Sequence, residues 1–246
     1  MSSTFPPTGA SKGAKPHLLE SPANTASTTS TTRPAVTPAP RARTWLLRPW
    51  AKSAVFVLCL LPFAWLLYAA IQSTMGGDAL GANPAEKLIR ATGDWTLRFL
   101  CTTLAITPLR QMLDQPALAR FRRMLGLFTF FYACVHFLCY SWLDMGLVWD
   151  DIVHDIAKRP FILVGTSALL LMTPLALTSF NRAIKALGAR RWQILHRAVY
   201  AIVLLGLLHF FWMRSAKSNF AEVAVYALVI ALLLGWRIVR RLRPSA

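Results

Sequence analysis

Six apolar runs of roughly membrane-spanning length, separated by short clusters of lysine and arginine, constrain this 246-residue chain more than any other feature. The runs extend from Ser53 to Ile71, Trp95 to Leu109, Met124 to Leu143, Phe161 to Phe180, Ile194 to Met213 and Phe220 to Val239. A hydrocarbon core of about 30 Å takes roughly 20 helical residues, so each run is a candidate crossing. The second is the weakest, being short, holding Arg98 and nearing its end at Pro108. The expected fold is an all-α integral membrane bundle of six helices over residues 45–246. It is preceded by a tail, residues 1–44, in which Ser, Thr and Pro fill 22 of 44 positions. That composition predicts a disordered cytoplasmic extension and offers no apolar stretch that would serve as a signal peptide.

The charge pattern supports six crossings. The chain carries 27 Lys+Arg against 10 Asp+Glu, a formal net charge of +17. A nucleic-acid binder would gather such charge on one face of a soluble fold, whereas here it lies between the apolar runs. Counted around the spans, Lys+Arg alternate between four and two: four at 41–52, two at 87–90, four at 110–123, two at 158–159, four at 182–191, two at 214–217 and four at 237–243. The positive-inside rule then puts both termini and the 110–123 and 181–193 loops in the cytoplasm, with the 72–94, 144–160 and 214–219 loops outside. Seven of the ten acidic residues fall in the outer loops (Asp78, Glu86, Asp94, Asp144, Asp150, Asp151 and Asp155), which predicts a mildly acidic outer face, first of all a solvated loop surface and alternatively a docking surface for a soluble partner. Cys59, Cys101, Cys134 and Cys139 all lie in apolar runs without a CxxC pair, which argues against a zinc or iron–sulfur site.

Ionisable groups inside a bilayer are costly and are functional candidates by default. His136 lies in the third run, and His196 and His209 in the fifth; His17 is in the tail and His154 in an outer loop. His136 stands 13 residues beyond Arg123 and His209 stands 12 beyond Arg197, so both sit about 18–20 Å from a basic cytoplasmic anchor. Two imidazoles at matched depth on different helices suit bis-histidine ligation of a b-type haem. Small residues three positions before each, Ala133 and Gly206, leave room for a flat macrocycle. On a straight helix His196 and His209 point about 220° apart, so they need not share a ligand. His196, near the cytoplasmic end beside Arg190, Arg191 and Arg197, is open to a second haem iron, a quinone or flavin, or a plain interfacial role.

Other features are less specific. Arg98, near the outer end of the second helix, is a candidate partner for a haem propionate, with snorkelling as the equal alternative. Tyr132 and Tyr140 share the face of His136, one turn to either side. Pro62, Pro108 and Pro174 are expected to kink or end their helices. No phosphate loop, dinucleotide fingerprint or Ser/His/Asp constellation appears, which argues against NAD(P)H binding by this chain.

Particular strings, in order, carry a resemblance. Thr107-Pro108-Leu109-Arg110 closes the second run, Arg122-Arg123-Met124-Leu125-Gly126 opens the third, and His136 and Arg159-Pro160 follow. Leu177-Thr178-Ser179, Arg191-Trp192, Leu195-His196, Tyr200 and His209-Phe210-Phe211-Trp212 complete the set over residues 45–241. Together these resemble the MsrQ (YedZ) family of the ferric-reductase-like transmembrane superfamily. The resemblance implies a haem-binding subunit of a bacterial inner-membrane system that repairs oxidised periplasmic proteins. It implies b-type haem, one or two, and FMN, with electrons taken from the quinone pool or a cytoplasmic flavin reductase and passed to a periplasmic molybdopterin subunit, MsrP, which reduces methionine sulfoxide. It also implies haem association for His136, His196 and His209. The long Ser/Thr/Pro tail departs from the family pattern.

Two other classes remain open at this point. One is a ferric-reductase or quinol-oxidoreductase type b-cytochrome with a different acceptor. The other is a non-redox transporter or assembly protein using the histidines as a proton relay, against which stands the lack of any Asp or Glu deep in a span, Glu222 being only two residues into the sixth.

Overall fold

The structure is a computed structural model, described here for residues 47–215 and 220–242. The expected tail, residues 1–44, lies outside the described residues. Among the described residues eight α-helices run in order: α1 (Pro49–Thr74), α2 (Pro84–Met112), α3 (Ala119–Cys139), α4 (Trp149–Lys158), α5 (Pro160–Leu177), α6 (Asn181–His196), α7 (Val199–Ser215) and α8 (Ala221–Leu242). A 3₁₀ turn, Pro116–Leu118, precedes α3, and a π turn, Tyr140–Asp144, extends it. No strand occurs among the described residues.

Among the described residues, five stretches are long and apolar enough to cross a membrane: Pro49–Thr74, Pro116–Asp144, Pro160–Leu177, Asn181–Ser215 and Ala221–Leu242. Large apolar side chains such as Trp65, Leu170 and Leu232 point outward from them, as a hydrocarbon solvent requires. The protein is therefore a multi-pass membrane protein. The remaining expected span, α2, does not reach that hydropathy, because Glu86, Lys87, Arg90, Asp94 and Arg98 occupy its first half.

Yet α2 has more buried residues than any other helix among the described residues. It packs on α1, α3, α7 and α8, and its buried set includes Leu97, Leu100, Leu104 and Ile106. Its threonines hide their hydroxyls by bonding back to the preceding turn, Thr92 to Leu88, Thr96 to Thr92 and Thr103 to Phe99, at 2.8–2.9 Å. A helix sheathed by neighbours has little lipid-facing surface to make apolar. Its start is set by Asn83, which accepts from the Glu86 amide at 3.1 Å, with Pro84 at the first helical position.

Five expectations are corrected. Residues 84–94, assigned to an outer loop, are helical, and Pro108 does not end α2, which runs on to Met112. Proline at 108 leaves the Leu104 carbonyl without its helical donor, and the Arg237 Nη2 of α8 donates to that oxygen at 2.6 Å. The 181–193 loop is helix α6, bent where Gly188 takes φ +74°, and the 144–160 loop contains α4. The fifth apolar run is divided: α6 ends at His196, a turn covers Arg197 and Ala198, and α7 begins at Val199. His196 and His209 thus stand on different helices.

Pro62 opens α1 in a related way. The Phe63 amide, which would bond to Cys59 in an unbroken helix, donates to the Tyr132 hydroxyl at 2.9 Å, and that hydroxyl donates to the Cys59 carbonyl at 2.9 Å. A fully buried side chain of α3 is thereby inserted into the α1 hydrogen-bond ladder.

Candidate functional site

The helices α2, α3, α5 and α7 surround a mainly apolar cavity lined by Leu97, Leu100, Ala133, Phe161, Met172, Gly206 and Phe210, among others. His136 of α3 and His209 of α7 enter it from separate helices with ring centroids 6.1 Å apart. The structure brings this expected pair together. Ala133 and Gly206, the small residues expected beside them, also line the cavity.

The two rings are held by the same device. His136 Nδ1 lies 2.8 Å from the Ile89 carbonyl of α2, and His209 Nδ1 lies 2.6 Å from the Phe161 carbonyl of α5. Carbonyl oxygens only accept, so both Nδ1 atoms carry the proton and each Nε2 keeps its lone pair. In both cases a glycine stands four residues beyond the accepting carbonyl. A Cβ on Gly93 would meet the His136 Cε1 at 3.0 Å, and one on Gly165 would meet the His209 Nδ1 at 2.7 Å. The missing side chains are what let the imidazoles reach helical carbonyls already used within their own helices. Sequence reasoning missed Gly93, which lay in the 72–94 segment read as an outer loop, and Gly165, since a glycine in an apolar run ordinarily signals close helix packing.

At the end of the cavity where α3 passes into the π turn, Tyr140, Asp144 and Arg159 line the wall. Asp155 of α4 is buried, 8% exposed, accepting from the Tyr140 hydroxyl through Oδ2 and from the Arg159 Nε through Oδ1, both at 2.8 Å. This corrects the view of Asp155 as part of a solvated acidic surface. Asp94 is also engaged, with Arg214 at 3.5 Å. Asp78, Asp150 and Asp151 remain exposed. His154 is exposed on α4, as its loop position suggested.

Arg98 does not line the cavity. It points outward, its guanidinium 4.7 Å from the Trp95 ring centre and its Nε 3.4 Å from the Tyr226 hydroxyl. Of the two tyrosines flanking His136, Tyr140 lines the cavity while Tyr132 serves the α1 kink.

His196 lies in a second cavity, lined by Arg122, Arg123, Phe130, Ser179 and Trp192. Its ring stacks on Trp192 at 3.9 Å, and its Nδ1 lies 3.1 Å from the Trp192 carbonyl of its own helix. Trp192 is pinned by its Nε1 donating to the Thr178 carbonyl at 3.0 Å. No second histidine lines this cavity among the described residues. Leu100 and Met172 line both cavities, so one layer of apolar side chains separates them.

Residues 92–207 match the family described as ferric reductase like transmembrane component. Among similar proteins, the protein-methionine-sulfoxide reductase heme-binding subunit MsrQ of Polaromonas naphthalenivorans (strain CJ2) is 67% identical over 194 residues, 79% of this chain and 86% of that protein. The proteins of the same name from Herminiimonas arsenicoxydans and Azospira oryzae are 50% identical over 183 residues and 52% identical over 192. Those alignments cover 74% and 78% of this chain, and 82% and 80% of the respective relatives. No solved structure matches the chain. With paired histidines in a helical membrane bundle and identity of this extent over most of its length, the chain belongs to the MsrQ family.

Proposed function

We propose that this chain is the haem-binding, electron-carrying membrane subunit of a protein-methionine-sulfoxide reductase system, and that His136 and His209 would hold a b-type haem through their Nε2 atoms. The observation that carries the reading is the geometry of the pair. Two imidazoles bonded to one metal from opposite sides through bonds of about 2 Å have ring centres about 6 Å apart, and these stand 6.1 Å apart. Both Nδ1 atoms are committed to carbonyls, the outer-sphere bond that orients a metal-binding imidazole and leaves Nε2 for the metal. The flanking small residues and the apolar walls fit a flat, largely hydrophobic macrocycle. Held between two histidines, such a group supplies reversible one-electron carriage without an open position for oxygen chemistry.

In this reading the bundle crosses a bacterial inner membrane six times, α2 included, with both termini cytoplasmic by the positive-inside pattern. The described domain follows a cytoplasmic tail, residues 1–44. The His196 cavity then opens on the cytoplasmic side and takes electrons from a planar donor. Trp192 offers a flat aromatic face, while Arg122 and Arg123 offer positive charge, a combination suited to a quinone or to the flavin of FMN. As a second haem site it would contribute the single imidazole of His196. Leu100 and Met172 keep water out of the short interval between the cavities. Electrons leave across the outer face to a periplasmic molybdopterin partner of the MsrP kind, where sulfoxide reduction itself takes place.

The test is a visible spectrum of detergent-purified protein, oxidised and dithionite-reduced, with haem quantified per chain. A low-spin b-type spectrum lost in both His136→Ala and His209→Ala is the expected result. A folded but colourless protein from haem-replete cells would instead favour a non-redox membrane transporter.

A further inference from the structure

A haem carries two carboxylates on one edge, so a cavity that holds one in a fixed sense needs a feature distinguishing that edge from the rest. The side walls between the two histidines are mostly aliphatic or aromatic and do not provide it. At the outer mouth, Arg159 is the cationic side chain that lines the cavity among the described residues. Its Nε is committed to Asp155 at 2.8 Å, which fixes the plane of the guanidinium and leaves its two terminal nitrogens as donors. Asp155 is itself fixed by the Tyr140 hydroxyl, and Tyr140 lines the same mouth. The position of Arg159 is set by the chain as well, since it is the extended residue immediately before Pro160 opens α5. Other basic groups near this end are unsuited: Arg98 points away from the cavity, Arg214 is spent on Asp94 and Glu222, Arg90 is paired with Glu86, and Lys158 is exposed and does not line the cavity. Asp144 lines the mouth with the opposite sign, which disfavours a carboxylate on its side and so sharpens the choice.

We propose that Arg159, braced by Asp155 and Tyr140, binds the carboxylates of the haem at the outer mouth and thereby fixes the edge that faces the partner side. The proposal rests on the haem reading above. It makes Arg159 a positioning residue whose positive charge also favours the reduced state, in which the iron has gained an electron.

The test uses the full chain in detergent. Haem transfer to excess apomyoglobin and the midpoint potential are measured for the unmodified protein, Arg159→Gln and Arg159→Lys, and transfer is repeated after loading with haem dimethyl ester, whose carboxylates are blocked. A charge-assisted hydrogen bond is worth enough to predict about tenfold faster haem loss from Arg159→Gln. Its potential should fall, Arg159→Lys should lie between, and with the ester the unmodified protein and Arg159→Gln should lose haem equally fast. Equal rates and potentials with ordinary haem would overturn the proposal. So would a difference that persists with the ester, because Arg159 would then act on the fold. If Arg159→Gln fails to fold, the unmodified protein decides alone, since equal retention of haem and its ester would refute a carboxylate contact. Failure of the haem reading looks different: a colourless protein, or haem indifferent to loss of both His136 and His209.

Discussion

The two cavities hold histidines in opposite ways. His136 and His209 are each braced by a carbonyl on a neighbouring helix, beside a glycine that admits the ring, whereas His196 is braced first by the Trp192 carbonyl of its own helix and stacked on that Trp192, with the Leu175 backbone of α5 beside it. Tertiary bracing fixes a ring relative to another helix, which is what a metal held from two sides demands. Local bracing fixes a ring relative to its own turn and leaves the opposite wall free to suit an exchangeable molecule. On the proposed topology and function, the outer site, His136 with His209, suits permanent occupancy and the inner one, at His196, suits traffic.

The largest effect that would break this comparison is loss of the haem itself. His136→Ala or His209→Ala should remove essentially all bound haem, while His196→Ala should keep the outer low-spin signal and lose reduction by a quinol or reduced flavin. Haem per chain and stopped-flow reduction read the two separately. If His196→Ala also emptied the outer site, the cavities would not be independent.

The glycines come next. Gly165→Ala puts a carbon 2.7 Å from the His209 Nδ1, so it should displace the ring and turn much of the haem high-spin. Gly93→Ala, with its closest ring contact at 3.0 Å, should do so less completely. Gly206→Ala, whose added carbon meets no imidazole and only Leu100 at 3.8 Å, narrows the cavity without touching the bracing and should have the smallest effect of the three. Electron paramagnetic resonance ranks the three, and a neutral Gly165→Ala would refute the bracing.

A smaller, kinetic effect belongs to the inner site. Trp192→Leu removes the stacking face and the bond to Thr178, each worth about 1 kcal/mol. Reduction by the donor should slow by roughly tenfold at limiting donor, with haem content intact. A drop in haem content would instead make Trp192 part of the outer site.

Much of this was legible in the sequence. Each apolar run became helix because a bilayer leaves the backbone few alternatives, and matched depth alone brought His136 and His209 together. What escaped depends on neighbours. The charged first half of α2 reads as loop until α1, α3, α7 and α8 are seen to sheathe it. The partner of each ring is a backbone carbonyl 47 or 48 residues away, and no residue type marks a carbonyl. Arg159 resembles an interfacial charge ahead of a proline, and only the fold turns it toward the cavity, while Arg98, the more conspicuous choice within a span, faces outward.

The smallest expected effect concerns the scaffold beneath the outer site. The Tyr132 hydroxyl accepts from Phe63 and donates to Cys59 within α1, so Tyr132→Phe strands one amide and one carbonyl in a setting without water. Each stranded group costs about 1–3 kcal/mol, partly recovered if α1 straightens. The thermal unfolding midpoint in detergent should drop by several degrees. Tyr132 is one turn from His136 on α3, so a slight broadening of the outer low-spin signal is expected, with donor reduction at the His196 cavity unaltered. A lowered midpoint with both sites undisturbed would assign the α1–α3 lock to stability alone. An unchanged midpoint would mean that α1 closes its own ladder at Pro62 and that Tyr132 is dispensable to the kink.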